Sequence, residues 1–300
     1  MEDIEWLASR FEQHRPRLRA VAYQMLGSLA EADDAVQDTW LRLSRAGADD
    51  VDNLGGWLTT IVARVSLNML RSRKRRREES LEVHVPDPVI GRDGKAQPED
   101  EALIADSVGL ALLIVLDTLT PDERLAFVLH DMFDLPFNDI AALLGRSTPA
   151  AKQLASRARR RVRGAKIPAE PDHTVQRRVV DAFFAAARQG DFGALVMVLH
   201  PDVVLRIDAG TGSPDVQQRI QGAAAVARQA LFGIRLLFDS PATVLHPVLV
   251  NGSAGVIATV NERPLAVMSF IVAEGKIIEI DSLSDPSRLP DIAAVTGLPG

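Results

Sequence analysis

The chain has 300 residues, 47% hydrophobic and 25% charged, a globular balance that excludes a disordered polyelectrolyte or a fibrous repeat and allows two or three domains. Its longest apolar runs, Val108–Leu116 and Leu265–Ala273, fall short of the roughly 18–20 residues that cross a bilayer, and the acidic opening MEDIEW is unlike a secretory signal, so a soluble cytoplasmic protein is expected, with no membrane partner. Zero cysteines exclude disulfides and thiolate chemistry, while the net charge of −6 hides two positive clusters: Arg71–Arg77 is basic at six of seven positions, and Ala158–Lys166 at five of nine.

From Trp6 to Ser44 apolar residues recur at helical spacing. Within SLAEADDAVQDTWLRL, Ser28 and Glu31 have capping-box spacing, and Val36, Trp40 and Leu43 form a stripe facing a core. Asp33, Asp34, Gln37 and Asp38 are left on its flanks, as a solvated face or a docking surface. A second long helix is predicted from about Leu54 to Glu79, with a basic end that complements the helix dipole. Residues 81–101 hold three prolines and two glycines without a period and read as a linker. A helix over Ala102–Leu119 follows. Thr120, Pro121 and Glu123 then supply a cap, a first-turn proline and a capping-box acid for a helix running to about Phe133. FNDIAALLGRSTPAAKQLASRARRRVR predicts a short helix, a turn centred on Gly145 and a longer helix opened by Thr148 and Pro149, the helix-turn-helix pattern. Beyond Pro171, helices over His173–Gln189 and Asp191–Leu199 precede the β-type runs VVLRID, TVLHPVLV, GVIATV, LAVMSFIVA and KIIEIDSL, an α+β domain built on an antiparallel meander.

A recognition helix turns its N-terminal residues toward base edges. That makes Arg146, Ser147, Thr148, Ala151, Lys152 and Gln153 candidates for DNA contact, and Arg157, Arg159, Arg160 and Arg161 candidates for phosphates; the alternative is a helical hairpin with a solvated basic face. RSRKRRR either attracts phosphate or is a solvated tail, and the turn before it adds Arg64, Ser66, Asn68 and Arg71, a set able to hold an unstacked base. The three tryptophans read as core. Asp208, His246, Asn251, Asn261 and Asp281 are the polar residues on or beside strands that would line a C-terminal pocket, although Asn251 and Asn261 also sit in turn sequences. The histidines are scattered and there is no glycine-rich phosphate loop, so neither metal nor cofactor is expected.

FEQHRPRLRAVAYQMLGSLAEADDAVQDTWLRL with GGWLTTIVARVSLNMLRSRKRRRE, followed by LTPDERLAFVLHDMFDLPFNDIAALLGRSTPAAKQLASRARRRVR, resembles in order regions 2 and 4 of bacterial extracytoplasmic-function sigma factors. The resemblance implies a multidomain chain: all-α region 2 over 1–80, a flexible linker over 81–104 and all-α region 4 over 105–166. It implies that Asp33, Asp34, Gln37 and Asp38 face the β′ coiled coil of core RNA polymerase, and that Arg64, Asn68, Arg71, Arg73 and Lys74 melt and hold the minus-10 promoter element. It further implies that Arg146, Ser147, Thr148, Lys152, Gln153, Arg157 and Arg160 contact the minus-35 element while region 4 packs on the β flap.

HTVQRRVVDAFFAAARQGDFGALVMVLHPDVVLRIDAG resembles the opening of a SnoaL-like domain of the NTF2-like fold, here 172–300, in which helices close a curved sheet around a cone-shaped pocket. Sigma factors fused to such a domain carry three motifs matched loosely by Pro86-Asp87-Pro88, by Asp208, Gly210 and Gly212, and by Asp285, Pro286, Arg288 and Leu289. These residues are the implied regulatory interface, through which the extension acts in cis in place of a separate anti-sigma factor. The pocket leaves room for a small-molecule ligand. Two other readings fit the motifs taken singly: a helix-turn-helix repressor or activator with a ligand-sensing domain, and an enzyme with a targeting segment. The resemblance implies a non-enzyme.

Overall fold

A helical period governs the chain as far as Gly164 and an alternating one governs most of it after Leu199, and the computed structural model divides accordingly. It describes residues 2–46, 53–77, 85–91, 110–164, 172–210, 218–238 and 241–290. One unit comprises Met1–Leu81, Pro98–Val108 and Leu112–Ile167, the other Glu82–Gln97, Gly109–Ala111 and Pro168–Gly300.

In the first unit α1 (Glu2–Leu26), α2 (Leu29–Ala46) and α3 (Leu54–Arg77) pack on one another. Phe11, Leu18, Tyr23 and Leu26 of α1, Val36 and Leu43 of α2, and Leu58, Val62 and Leu67 of α3 are fully buried or nearly so, each large side chain contributing about 1.5–3 kcal/mol. Trp40, half-buried, lies against Phe11, ring centroids 5.2 Å apart, whereas Trp6, expected in the core, is 55% exposed near the start of α1. At the α1–α2 corner Gly27 takes φ 70°, a conformation only glycine adopts without strain. The Ser28 hydroxyl accepts from the Glu31 N–H at 3.3 Å, but the Glu31 carboxylate turns to Arg73, so the expected capping box is used differently.

The chain continues with α4 (Leu110–Asp117), which belongs to this unit from Leu112 on, and α5 (Pro121–Phe127), the latter extended by a π-helical turn over Val128–Met132. Thr120 caps α5 with a complete capping box and Pro121 opens it, as the sequence predicts. α6 (Phe137–Leu144) ends at Gly145, left-handed at φ 63°, and α7 (Thr148–Gly164) follows. The hydroxyl that caps α7 is that of Ser147, accepting from the Ala150 N–H at 3.4 Å. Thr148 opens the helix as expected, and its hydroxyl donates to Asn138 Oδ1 at 3.0 Å. Ala151, Leu154, Ala155 and Ala158 bury the inner face of α7.

The second unit holds α8 (His173–Gln189), α9 (Phe192–Val198), β2 (Leu199–Asp208), β3 (Gln218–Gln221), α10 (Ala223–Phe238), β4 (Thr243–Val250), β5 (Ser253–Val260), β6 (Arg263–Ala273) and β7 (Lys276–Leu283). Its sheet runs β1-β4-β5-β6-β7-β2-β3, where β1 is Ile90–Gly91 of the expected linker. β2 is parallel to β7 and every other neighbour is antiparallel. Register shifts after Ala258 and Ile271 bend the central strands. Helices α8 to α10 cover one face, where Phe183 and Phe184 meet Phe270 at 5.6 and 5.7 Å. This is the α+β arrangement, helices on one face of a largely antiparallel sheet, expected from the sequence. The meander β4–β7 falls where the alternation placed it, whereas α10, β3 and β1 were not anticipated.

Candidate functional site

On α2, Asp33, Asp34 and Gln37 are exposed and Asp38 partly so. Arg19 holds Asp33 at 2.8 Å and Arg42 holds Asp38 at 2.9 Å. Exposed pairs of this kind contribute only about 0–1 kcal/mol, so the face stays electrostatically accessible to a basic partner. Leu41, one turn beyond Gln37 and Asp38, is also exposed, an apolar element of that face that charge patterning does not reveal.

On α3, Arg64, Asn68 and Arg71 follow at i, i+4 and i+7 and are exposed, as is Lys74. Arg73 points the other way: it donates to the Leu26 carbonyl at 2.9 Å and pairs with Glu31, satisfying the C-terminal end of α1. The structure thus brings four of the five expected minus-10 residues to one surface and places Arg73 in the helix packing. Asn68, Arg71 and Lys74 line a cleft of ≈ 800 Å³ together with Asp122, Arg146 and Arg157.

On the helix-turn-helix, Arg146, Lys152, Gln153, Arg157 and Arg160 are exposed. Lys152 lies over the Phe137 ring, 5.9 Å from its centroid. Arg146 reaches Asp122 at 3.1 Å and Arg159 reaches Asp131 at 2.6 Å. Glu123 is the hub beneath them: it is 4% exposed, accepts from the Thr120 N–H at 3.1 Å and its hydroxyl at 2.9 Å, and pairs with Arg157 at 3.2 Å and Arg161 at 2.9 Å. Burial alone would raise its pKa, but the two Thr120 hydrogen bonds and the Arg161 and Arg157 charges outweigh that and hold it below the usual glutamate value. The acids Asp122 and Glu123, seen in the sequence only as first-turn residues, hold guanidinium groups from α3, from α7 and from the turn that precedes α7.

In the second unit the loose motif matches converge. Arg288 donates through Nε to Asp87 Oδ1 at 2.6 Å, through Nη2 to the Val85 carbonyl at 2.7 Å and through Nη1 to Asp208 Oδ2 at 2.9 Å. Asp208 also accepts from the Val85 N–H at 3.0 Å and the Gly210 N–H at 3.2 Å. Asp87 and Asp208 are 7% and 4% exposed. Pro86 and Pro88 are buried, Pro286 is exposed, and Leu289 joins Ile90, Val248 and Leu283 in a cluster on the sheet face opposite the helices. Gly210, at φ 79°, lies so close to Asp285 that a Cβ would sit 2.6 Å from the carboxyl carbon. Gly212 lies outside the described residues.

Residues 85–91, expected to be flexible linker, are therefore seated on the C-terminal sheet, a pairing between distant segments that local sequence does not encode. Asn251 completes the seat: its Oδ1 accepts from the Val89 N–H at 2.6 Å and its own N–H donates to the Val89 carbonyl at 2.8 Å. Of the residues considered for a pocket, Asp208 and Asn251 hold this segment. Asp281 pairs with Arg206 at 3.0 Å, His246 contacts Thr259 at 2.9 Å, and Asn261 is an exposed turn residue at φ 49°. Strand alternation puts Asp208, His246 and Asp281 on the face away from the helices, while the helix side is lined by apolar residues. Among the described residues no cluster of three or more His, Cys, Asp or Glu side chains has metal-site geometry, and no helix is long and apolar enough to cross a membrane.

Residues 10–76 match Sigma-70 region 2 and residues 110–162 match Sigma-70 region 4. The probable ECF RNA polymerase sigma factor SigI of Mycobacterium tuberculosis is 35% identical over 297 residues, 99% of each chain. The ECF RNA polymerase sigma factor SigJ of the same organism is 35% identical over 289 residues, 93% of this chain and 92% of that one. The crystal structure of M. tuberculosis SigJ matches this fold with a TM-score of 0.71 at 31% identity, covering 94% of this chain and 98% of that one. Similarity over both helical regions and the α+β extension, in the same order, places this chain in the extracytoplasmic-function family of RNA polymerase sigma factors, which bind core RNA polymerase and promoter DNA to initiate transcription.

Proposed function

We propose that this sigma factor divides its work among the surfaces described above and is regulated in cis by its C-terminal unit. Region 2 spans 1–80, region 4 spans 105–166 and the regulatory unit 172–300. The α2 face of Asp33, Asp34, Gln37 and Asp38 docks on the β′ coiled coil, and region 4 packs on the β flap. Arg64, Asn68, Arg71 and Lys74 hold the melted minus-10 strand, with Arg73 supporting the helix that carries them. Arg146, Ser147, Thr148, Lys152, Gln153, Arg157 and Arg160 contact the minus-35 element. The protein acts in the cytoplasm by binding alone, without a catalytic step. The reading needs no small-molecule ligand, because Asp208, His246, Asn251 and Asp281 have structural partners and Asn261 stands in an exposed turn.

The observation that carries the regulatory part is the Asp87–Arg288–Asp208 cluster. It ties the segment joining regions 2 and 4 to the C-terminal unit, so that unit acts on the two DNA-reading regions through their own connection. The test is transcription in vitro with sigma-free core polymerase on the promoter of the neighbouring operon, comparing the full chain with Arg288→Ala. A promoter-specific transcript whose yield changes in the variant is expected. An unchanged yield would remove the regulatory role. No transcript and no association with core, with tight operator binding by the isolated protein, would replace the reading with that of a helix-turn-helix repressor.

A further inference from the structure

Asp122 stands in the first turn of α5 and uses both carboxylate oxygens on cations from different parts of the first unit. Oδ1 accepts from Arg71 of α3 at 2.8 Å and Oδ2 from Arg146, at the entrance to α7, at 3.1 Å. The two arginines are 43% and 53% exposed at their side chains, the aspartate only 18%. One partly shielded acid therefore bridges a cation of each DNA-reading region, and Glu123 beside it engages Arg157 and Arg161 of the recognition helix.

We infer that Asp122 is a built-in stand-in for DNA phosphate that latches region 2 to region 4 in a closed, DNA-incompetent form. The inference rests on the DNA roles proposed above for Arg71 and Arg146. Minus-10 and minus-35 elements lie about 25 base pairs apart, on the order of 80 Å of duplex at 3.4 Å per step. Two arginines that share one carboxylate cannot stand at both elements, so promoter engagement must break the bridge. A carboxylate is an apt latch because it presents to guanidinium the acceptor geometry that phosphate does. Asp122 leaves when phosphate competes for the same donors. Arg124 adds a second hold: it is 2% exposed, donates to the Gln24 carbonyl at 3.0 Å and pairs with Asp117, anchoring α5 on the end of α1. Arg17 donates to the Phe133 carbonyl at 3.0 Å. The Asp122 pairs are the exposed, and so the weak and reversible, part of the contact.

The cysteine-free chain allows dyes at introduced cysteines, Ser44→Cys on α2 and Ser156→Cys on α7, both exposed positions. Energy transfer in the full chain reads the separation of the two regions, and binding to a duplex carrying a minus-35 element is measured without polymerase. Asp122→Asn is expected to lower transfer and to raise DNA affinity about two- to tenfold, the combined worth of two exposed pairs. Asp139→Asn, an equal charge change on α6, should move neither by as much. Arg71→Gln should lower transfer as Asp122→Asn does, and the double variant should open little further. Unchanged transfer in Asp122→Asn, with DNA affinity equal to that of Asp139→Asn, overturns the latch even where the protein drives transcription with core. Opening in both single variants without core-dependent transcription upholds the latch and counts against the sigma roles.

Discussion

Arg288 is held between two carboxylates that have little access to water, Asp87 and Asp208, and its fork also takes the Val85 carbonyl. Removing one member of a buried ion cluster leaves uncompensated charge and costs about 3–5 kcal/mol. Arg288→Ala is accordingly expected to destabilise the second unit by about 3 kcal/mol, read as a fall in its urea midpoint. Arg288→Lys should recover only part of the loss, since an ammonium cannot serve three acceptors in a plane. An alanine variant with the midpoint of the parent would show that the cluster holds nothing. Glu123 poses a different question, because its pKa is depressed in the fold. The unfolded chain takes up its proton first as pH drops. The stabilisation is therefore complete above the ordinary value of 4.5 and is lost as pH falls from there through the lowered folded value. Glu123→Gln should be less stable at neutral pH and should lose less than the parent as pH falls below the ordinary glutamate value of 4.5, followed by circular dichroism melts. Equal acid sensitivity in the two proteins would mean that the arginine contacts of Glu123 do not persist in solution.

At the scale of elements, the seated segment is a seven-residue strap whose backbone is fixed at Val85 by Asp208 and at Val89 by Asn251. Asn251 does so from a β4–β5 turn at φ 48°, where asparagine is tolerated and alanine costs about 1 kcal/mol more. Asn251→Ala should strip hydrogen-exchange protection from the Val89 amide by at least about tenfold, the equivalent of one lost buried hydrogen bond, while β5–β6 amides keep theirs. Retained protection at Val89 would show that the Arg288 cluster and the Ile90–Leu289 packing hold the strap without the Asn251 side chain. Local signals made other elements legible: Thr120-Pro121-Asp122-Glu123 for the start of α5, Gly145 for the helix-turn-helix corner, and the two-residue period with its NG, NE and EG turns for the meander. α10 carries a helical signal as well, with Val226, Ala227 and Ile234 inward, but it interrupts a run of strand-like segments that masks it. β1 could not be read, because two residues in a proline-rich stretch become a strand only through pairing with Leu249 and Val250. The candidate site divides the same way. Residue types and helix faces were visible in advance, whereas Asp122 meeting Arg71 across 51 positions, or Arg288 meeting Asp87 across 201, depends on the tertiary fold.

At the scale of the whole molecule, the two basic clusters of an acidic chain are partly neutralised from within, and two restraints bear on the separation of regions 2 and 4. One is the Asp122 bridge in the first unit. The other is the strap, which pins to the second unit seven of the 32 residues between Arg77 and Leu110, a connection that spans at most about 105–115 Å when extended. Promoter elements on the order of 80 Å apart draw on much of that reach, and a segment whose direction is fixed at the sheet edge limits how it is used. Releasing either restraint should therefore raise core-dependent transcription, modestly in Asn251→Ala, where one contact of the strap is removed, and more in Asp122→Asn, where the bridge is lost. The two restraints lie in different units and share no residue, so their free energies should add and their fold-changes multiply. Transcript yield from the double variant should equal the product of the single gains. A yield below that product would mean that strap and bridge belong to one coupled restraint, and a fall in Asn251→Ala alone would make the seated strap a requirement for initiation instead of a brake on it.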